Sequence, residues 1–239
     1  MTVKHQIRYS AQSHVGLRRS VNEDSILVLP EQSIWVVSDG MGGHEGGDFA
    51  SRLVVDSIAL LPDDLPPGDK MREMRAALQN AHRAIVAEAE SRGSTIGATV
   101  VAFMIADGHF VALWAGDSRL YRLRGGQIEM LTTDHSVVAA LVLSGQITWD
   151  EAELHPQSNA ITRAVGVGDD LELDKVHGEI LPGDRFLLCS DGLSKYATFA
   201  ELRRAISNTP IEIISDKLIQ IALDGGGADN ISVIVIDVV

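Results

Sequence analysis

The chain has 239 residues, of which 45% are hydrophobic, enough for a sizeable core in one large domain or two small ones. Its formal net charge of −13 argues against nucleic acid or an anionic membrane as the main partner, although bound metal ions would still allow a phosphorylated substrate. The single cysteine, Cys189, excludes an internal disulfide and a thiolate zinc site, and we interpret it as a small buried core residue.

Targeting signals are not visible in this sequence. The first residues lack the apolar segment of a secretory signal, and the longest apolar run, residues 98–106, is far too short to span a bilayer. We therefore expect a soluble cytoplasmic protein without a membrane or nucleic-acid partner.

The chain begins with a predicted strand, turn and strand over residues 7–29, followed by a hairpin connection at 30–33 and an apolar strand at 34–37. The loop at 16–24 carries two arginines and ends in Glu23 and Asp24. Taken alone, this loop is more simply explained as a solvated surface segment, because loops usually collect charge.

Two amphipathic helices are predicted next. Apolar residues recur at helical spacing over 46–61, and the proline-rich residues 62–69 should end that helix. A second helix carries an apolar face from Met71 to Ala89 and ends at Gly93. His82 lies beside this face, where packing or solvent contact is a simpler role than metal ligation.

The remaining residues predict hairpins, short helices and further strands. Asp107 with Gly108, and Gly125 with Gly126, mark two hairpin turns between apolar strands, which indicates antiparallel sheet. A short helix is predicted at 137–143, and Thr148 fits a capping box for another. The later strands are expected at 173–180, 186–190 and 231–236, with helices at 199–206 and 211–222. Since no linker divides the chain, we predict a single α+β domain over residues 1–239.

Four aspartates lie where predicted strands begin or end, each with a glycine beside it or just upstream. Asp39, Asp117 and Asp191 follow strands, and Asp229 precedes one. A single Asp-Gly pair is usually only a turn, but four such positions together predict an oxygen-only pocket, to which the Gly40 carbonyl could contribute. Such a pocket suits Mg²⁺ or Mn²⁺, and the carboxylates would repel one another strongly without a cation. The residues alone therefore predict metal-assisted hydrolysis, with a phosphoester as the expected substrate.

An ordered set of motifs over nearly the whole chain resembles the PPM family of metal-dependent serine/threonine protein phosphatases, also called the PP2C family, in its bacterial single-domain form. The motifs lie at residues 16–24, 39–44, 97–99, 116–121, 131–136, 155–166, 190–193 and 229–232. The resemblance implies a four-layer α/β/β/α sandwich, in which a central antiparallel β-sandwich carries helices on both outer faces.

The resemblance also implies roles for individual residues. Two Mn²⁺ or Mg²⁺ ions would be bridged by Asp39 and a water, with Asp191 and Asp229 on the first ion and the Gly40 carbonyl on the second. Glu23 and Asp24 would hold metal-bound waters. A third, weaker ion would bind Asp117 and Asp191, and Arg19 would grip the substrate phosphate. Residues 145–159 match a mobile flap that affects substrate choice.

The implied reaction is a single in-line displacement at phosphorus by the bridging hydroxide, without a phospho-enzyme. Animal members carry a histidine as proposed general acid where this chain has Met41, which cannot transfer a proton. His44 or a metal-bound water could take that role, and a structural role for His44 is an equal alternative.

We thus expect a monomeric phosphatase that acts on phosphoserine and phosphothreonine in proteins and opposes a bacterial kinase. One alternative is a pseudophosphatase that binds phosphoproteins, although retention of Asp39, Asp191 and Asp229 argues against it. Another is a partner-switching phosphatase acting on an anti-sigma antagonist, but such proteins usually carry a sensor domain for which this chain has no room.

Overall fold

The computed structural model describes residues 6–43 and 46–239. Within these two ranges, the strands in chain order are β1 (Ile7–His14), β2 (Asp24–Leu29), β3 (Ile34–Met41), β4 (Gly97–Ala98), β5 (Val100–Ala106), β6 (His109–Ala115), β7 (Arg119–Arg124), β8 (Gln127–Met130), β9 (Asp174–Glu179), β10 (Arg185–Cys189) and β11 (Ile231–Val238). The helices are α1 (Gly46–Ala59), α2 (Pro67–Arg92), α3 (Ala139–Leu143), α4 (Trp149–Ala152), α5 (Asp191–Ser194), α6 (Phe199–Asn208) and α7 (Ile214–Asp224).

The strands form two antiparallel sheets. One has the order β1-β11-β10-β7-β8, and the other has the order β2-β3-β5-β6-β9 with the short β4 paired to β3. The first sheet therefore places the first and last described strands side by side, because β1 pairs with β11 along its whole length.

The two sheets pack face to face over an apolar layer. Trp35, Phe103 and Phe110 from one sheet meet Phe186 from the other, with ring centroids 4.8–6.1 Å apart between neighbours. On its outer face the second sheet is covered by α1 and α2, and the first sheet by α5, α6 and α7. This is the predicted four-layer arrangement, with helices outside both sheets.

Burial on both faces explains why the central strands are apolar at successive positions. In β3, Trp35 and Val37 face the other sheet, whereas Ile34 and Val36 face the helices. A strand covered on both sides has no solvent face that would favour polar residues, so alternation is lost.

Most predicted elements are confirmed, and the differences have local causes. Both hairpin turns have two consecutive residues with positive φ, as type I′ turns require. The second helix begins at Pro67, inside the segment predicted to be a helix stop, because proline is well suited to the first turn of a helix. The predicted helix at 211–222 begins instead as a 3-10 turn and becomes α-helical only at Ile214.

Candidate active site

Aspartates from both sheets meet at one end of the sandwich. Asp39 lies near the end of β3 and pairs across the strands with Asp24 at the start of β2. Asp117 follows β6, Asp191 begins α5, and Asp229 lies two residues before β11. They surround a cleft of about 370 Å³ whose lining includes these predicted site residues: Arg19, Glu23, Asp39, Gly40, Asp117, Asp191 and Asp229. The sequence prediction therefore identified residues that the fold brings together, except that Asp24 lies buried behind the cleft.

Asp39 is held by the backbone and side chain of Thr99. The Thr99 amide donates to the Asp39 carbonyl at 2.8 Å, and the Asp39 amide donates to Thr99 Oγ1 at 3.0 Å. The same hydroxyl lies 2.7 Å from Ser118 Oγ, in the residue after Asp117. Thr99 thus connects the segments that carry two of the cleft carboxylates.

The loop at residues 16–24 is fixed to the start of β11 by Asn230. The Asn230 side-chain amide donates to the carbonyls of Val15 and Val21 at 2.9 and 3.0 Å, and its Oδ1 accepts from the Glu23 amide at 2.8 Å. The interpretation of this loop as a solvated segment therefore fits only residues 17–21, which are exposed, because the ends of the loop are anchored and Glu23 is buried.

Asp24 belongs to a hydroxyl network behind the cleft. Ser190 Oγ donates to Asp24 Oδ2 at 2.7 Å and accepts from the Ser232 amide at 3.0 Å. Burial raises the pKa of Asp24 to about 7, although hydrogen bonds from the serines oppose the shift. This carboxyl is therefore harder to ionise than an ordinary aspartate, and a nearby cation would favour its charged form.

Close contact between backbone segments explains two of the cleft glycines. A Cβ on Gly40 would lie 2.1 Å from the carbonyl oxygen of Gly47 in α1, and one on Gly192 would lie 1.9 Å from the carbonyl oxygen of Asn230. Larger residues would force apart the segments that position Asp39, Asp191 and Asp229. Gly40 is thus required for packing, whatever its carbonyl binds.

Burial and mutual repulsion raise the pKa values of two further carboxyls well above the ordinary range. The pKa of Asp39 is raised by burial first and then by Asp24, Asp191, Asp117 and Asp229. That of Asp117 is raised by burial and by Asp191. Such a cluster is electrostatically unfavourable when ionised without cations.

The donor set fits a hard divalent cation. Buried oxygens of three carboxylates, Glu23 Oε1, Asp24 Oδ1 and Asp191 Oδ1, make no hydrogen bond with any protein group in the described ranges. Oxygen atoms without partners, in a cluster that needs positive charge, match the preference of Mg²⁺ or Mn²⁺.

The carboxylates are not arranged as a complete set of ligands around one ion. Two of them instead contact positively charged side chains of the protein. Among residues 6–43 and 46–239, no three acidic, imidazole or thiol groups have the mutual spacing of a completed ion site. Arg19 contacts both oxygens of Asp229 at 3.0 Å, and Lys195 Nζ lies 2.5 Å from Asp191 Oδ2. Ion binding would therefore require Asp229 to be shared with Arg19 or released by it.

The predicted flap region, residues 145–159, is docked beside the cleft through Arg119. The Arg119 guanidinium is buried, binds both oxygens of Asp134, and lies 5.2 Å from the Trp149 ring. Its Nη2 also lies 2.6 Å from Glu153 Oε1, a charge contact whose angle falls short of a hydrogen bond. The capping box predicted at Thr148 is present and starts α4 within this segment.

His135 supports the turn that carries Asp117. Its Nδ1 accepts a hydrogen bond from the Gly116 amide at 3.1 Å, and its ring stacks on Trp114 with the centroids 6.0 Å apart. The pKa of His135 is lowered mainly by burial and then by the charge of Arg163, whereas Asp174 and Asp134 raise it. A neutral ring is consistent with Nδ1 acting as an acceptor.

The proton-donor assignment concerns Met41 and His44. Met41 is the last residue of β3 and lines the cleft. His44, together with Glu45, lies outside the described residues, so its proposed role as general acid stays a prediction.

Sequence reasoning assigned no role to four residues that hold or line the site: Thr99, Arg119, His135 and Lys195. Thr99, Arg119 and His135 lie inside recognised motifs, but their partners are distant in sequence. Lys195 lies four residues after Asp191, and this spacing on a helix was the available signal.

No helix in the described ranges combines the length and apolarity needed to cross a membrane.

Comparison with known proteins gives one consistent family. The family model for protein phosphatase 2C matches residues 13–217. The chain is 40% identical to the serine/threonine protein phosphatase PstP of Mycobacterium tuberculosis over 98% of its own length, but spans only 45% of that relative. Among solved structures, it is similar to PppA, a regulatory component of T6SS in Pseudomonas aeruginosa, with 41% identity, 98% coverage of both chains and a TM-score of 0.90. It is also similar to the catalytic domain of PstP in complex with two manganese ions, with 37% identity, coverage of 99% and 100%, and a TM-score of 0.88.

Proposed function

Since the chain belongs to the protein phosphatase 2C family, we propose that it catalyses metal-dependent hydrolysis of phosphoserine and phosphothreonine in proteins. The observation that carries this proposal is the convergence of Asp39, Asp117, Asp191 and Asp229 with Arg19 on a single cleft. The naming of its relatives as serine/threonine protein phosphatases supports a phosphoprotein as the substrate class.

The metal-binding roles are those that the family resemblance implies, and the position of most of these residues around one cleft supports them. Asp39, Asp191 and Asp229 would hold two divalent ions, with the Gly40 carbonyl as a further ligand and Glu23 and Asp24 acting through water. Manganese is supported by the PstP complex, and magnesium fits the same oxygen donors. When bound, the ions supply Lewis acidity to water and to the phosphoryl oxygens.

Arg19 would hold the phosphate in line for attack. Its side chain is 47% exposed at the cleft and now forms a two-pronged contact with Asp229. The same planar fork fits two phosphoryl oxygens, so Arg19 would hold a substrate phosphate in place of Asp229, whose carboxylate would serve as a metal ligand. Its fixed charge then stabilises the transition state.

We further propose that residues 1–239 form one catalytic domain, since both sheets share a single apolar layer. The protein would act as a cytoplasmic monomer and oppose a serine/threonine kinase. These roles rest on the family and are separate from the chemistry of the cleft.

The test is turnover of p-nitrophenyl phosphate and of a phosphothreonine peptide with Mn²⁺, with and without excess chelator. Asp39→Asn should lower kcat by roughly 100-fold or more, the scale of losing one electrostatic contact in a transition state. The control is Asp107→Asn, because Asp107 lies in a remote hairpin turn whose positive φ asparagine tolerates. Full turnover in chelator would refute the metal-dependent mechanism, and peptide binding without turnover would favour the pseudophosphatase.

A further inference from the structure

Lys195 places a fixed positive charge inside the carboxylate cluster. It follows α5 directly, and its amide donates to the Asp191 carbonyl at 2.9 Å, so its position relative to Asp191 is set by the helix turn. Its Nζ lies 2.5 Å from Asp191 Oδ2 and 3.8 Å from Asp229 Oδ2. The side chain is only 20% exposed, which distinguishes it from a solvated surface lysine.

The contact divides the two oxygens of Asp191 between different partners. Oδ2 is taken by the ammonium, whereas Oδ1 is buried and has no hydrogen-bond partner within the described part of the chain. Asp191 therefore offers one oxygen to an ion of the main cleft and has its other oxygen already neutralised.

The space behind the ammonium is small. Asp117, Asp191 and Lys195 also line a second cavity of about 10 Å³, whose lining includes Arg119 and Glu153. A cavity of that size holds about one water molecule. A hydrated divalent ion would not fit in this second cavity, and on the side of the main cleft, which the same three residues line, it would have to displace the ammonium from Asp191 Oδ2.

The charges around the cleft also balance without a third divalent ion. Two divalent ions together with Arg19 and Lys195 carry as many positive charges as there are carboxylates in and behind the cleft. Those carboxylates are Glu23, Asp24, Asp39, Asp117, Asp191 and Asp229.

We propose that Lys195 serves as the third cation of this site, so that its ammonium occupies Asp191 Oδ2 beside Asp117 and limits the protein to two divalent ions. The proposal rests on the metal site of the proposed function. It replaces the third ion that the family resemblance implies at Asp117 and Asp191, and it makes Lys195 a positioning residue that orients Asp191.

Equilibrium dialysis of the whole protein against increasing Mn²⁺, with the bound metal measured by mass spectrometry, tests this role without relying on activity. The wild type should reach two Mn²⁺ per chain. Lys195→Met should reach three, and Lys195→Arg, which keeps the charge, should reach two. The matched control is Lys217→Met, because Lys217 is exposed on α7 and remote from the cleft.

A double variant, Lys195→Met with Asp117→Asn, should return to two ions, since the additional ion would need Asp117. Three ions on the wild type, or two on a folded Lys195→Met variant, would overturn the role of Lys195 alone. A wild type that binds no Mn²⁺ would overturn the proposed function as well, so the two failures are distinguishable.

Discussion

The contact between Arg119 and Glu153 should hold the flap region, residues 145–159, against the cleft. The two side chains are 6% and 14% exposed, and their charged atoms lie 2.6 Å apart. Glu153→Gln keeps the size of the side chain and an acceptor oxygen but removes the negative charge. We expect the flap to open more often in this variant.

The free-energy cost of Glu153→Gln follows from the contacts that Arg119 and residue 153 retain. Arg119 retains its two-pronged contact with Asp134, so the substitution leaves no uncompensated buried charge, and the cost stays below the 3–5 kcal/mol of a broken buried pair. The Arg119–Glu153 contact falls short of a hydrogen bond in its angle, so the contribution of a hydrogen bond to a charged group, about 1.5–3 kcal/mol, is an upper range for it. The angle at Glu153 is imperfect, and burial raises the pKa of this carboxyl against the pull of Arg119. The lower end, about 1.5 kcal/mol, therefore applies, which corresponds to about a tenfold larger open population.

Hydrogen exchange followed by mass spectrometry measures this population through the amides of α4. Glu153→Gln should exchange about tenfold faster there, with unchanged rates in β3 and β11. Leu154→Ala is the control, because Leu154 is the next residue and 86% exposed. Wild-type rates in Glu153→Gln, or equal acceleration in Leu154→Ala, would show that the ion pair does not hold the flap.

Three further substitutions test the packing and electrostatics around the cleft. Gly40→Ala should lower the free energy of unfolding in urea by about 3 kcal/mol, because the added Cβ clashes with the backbone of α1. The control Gly68→Ala, at a position with open space around it, should change this free energy by less than about 1 kcal/mol. Equal effects of the two substitutions would contradict the packing argument. Phe186→Ala should cost about 3–5 kcal/mol in the same assay, and a loss under about 1 kcal/mol would remove it from the core. Because the pKa of His135 is lowered in the folded protein, the neutral ring stabilises the fold above about pH 6.5, near the ordinary pKa of histidine, and this stabilisation is lost as the pH falls. The melting temperature should therefore drop more between about pH 7.5 and 5.5 in the wild type than in His135→Gln. An equal drop in both proteins would refute the neutral ring.

The layers of the fold were predictable because local sequence determines them. The apolar run at 34–37 is typical of a buried strand, and the Asp-Gly and Gly-Gly pairs at the hairpins favour tight two-residue turns. Helix boundaries were less predictable, since Pro67 is equally compatible with the end of a loop and the first turn of a helix. The four-residue helix α5 is too short to produce a periodic pattern.

The cleft carboxylates were predictable by position and chemistry, but their supporting contacts were not. Arg119 and Glu153 are separated by 34 residues, and no sequence period indicates that a buried arginine on β7 faces a glutamate in the flap region. Asn230 likewise anchors a loop more than 200 residues earlier in the chain. Such contacts depend on how the two sheets are stacked, which is a property of the whole fold.

The backbone sets the geometry of the site, and the carboxylates take their positions from the backbone. Gly40 against Gly47, and Gly192 against Asn230, bring main-chain atoms of different elements into direct contact without any charged group. The polar supports, Thr99 and Asn230, also bind main-chain groups. Because this frame does not depend on the ionisation of the aspartates, the fold can hold several mutually repelling carboxylates in one place, and the repulsion becomes binding energy for cations. Lys195 and Arg19, by contrast, bind cleft carboxylates directly, so their contacts can change when ions bind while the frame stays the same.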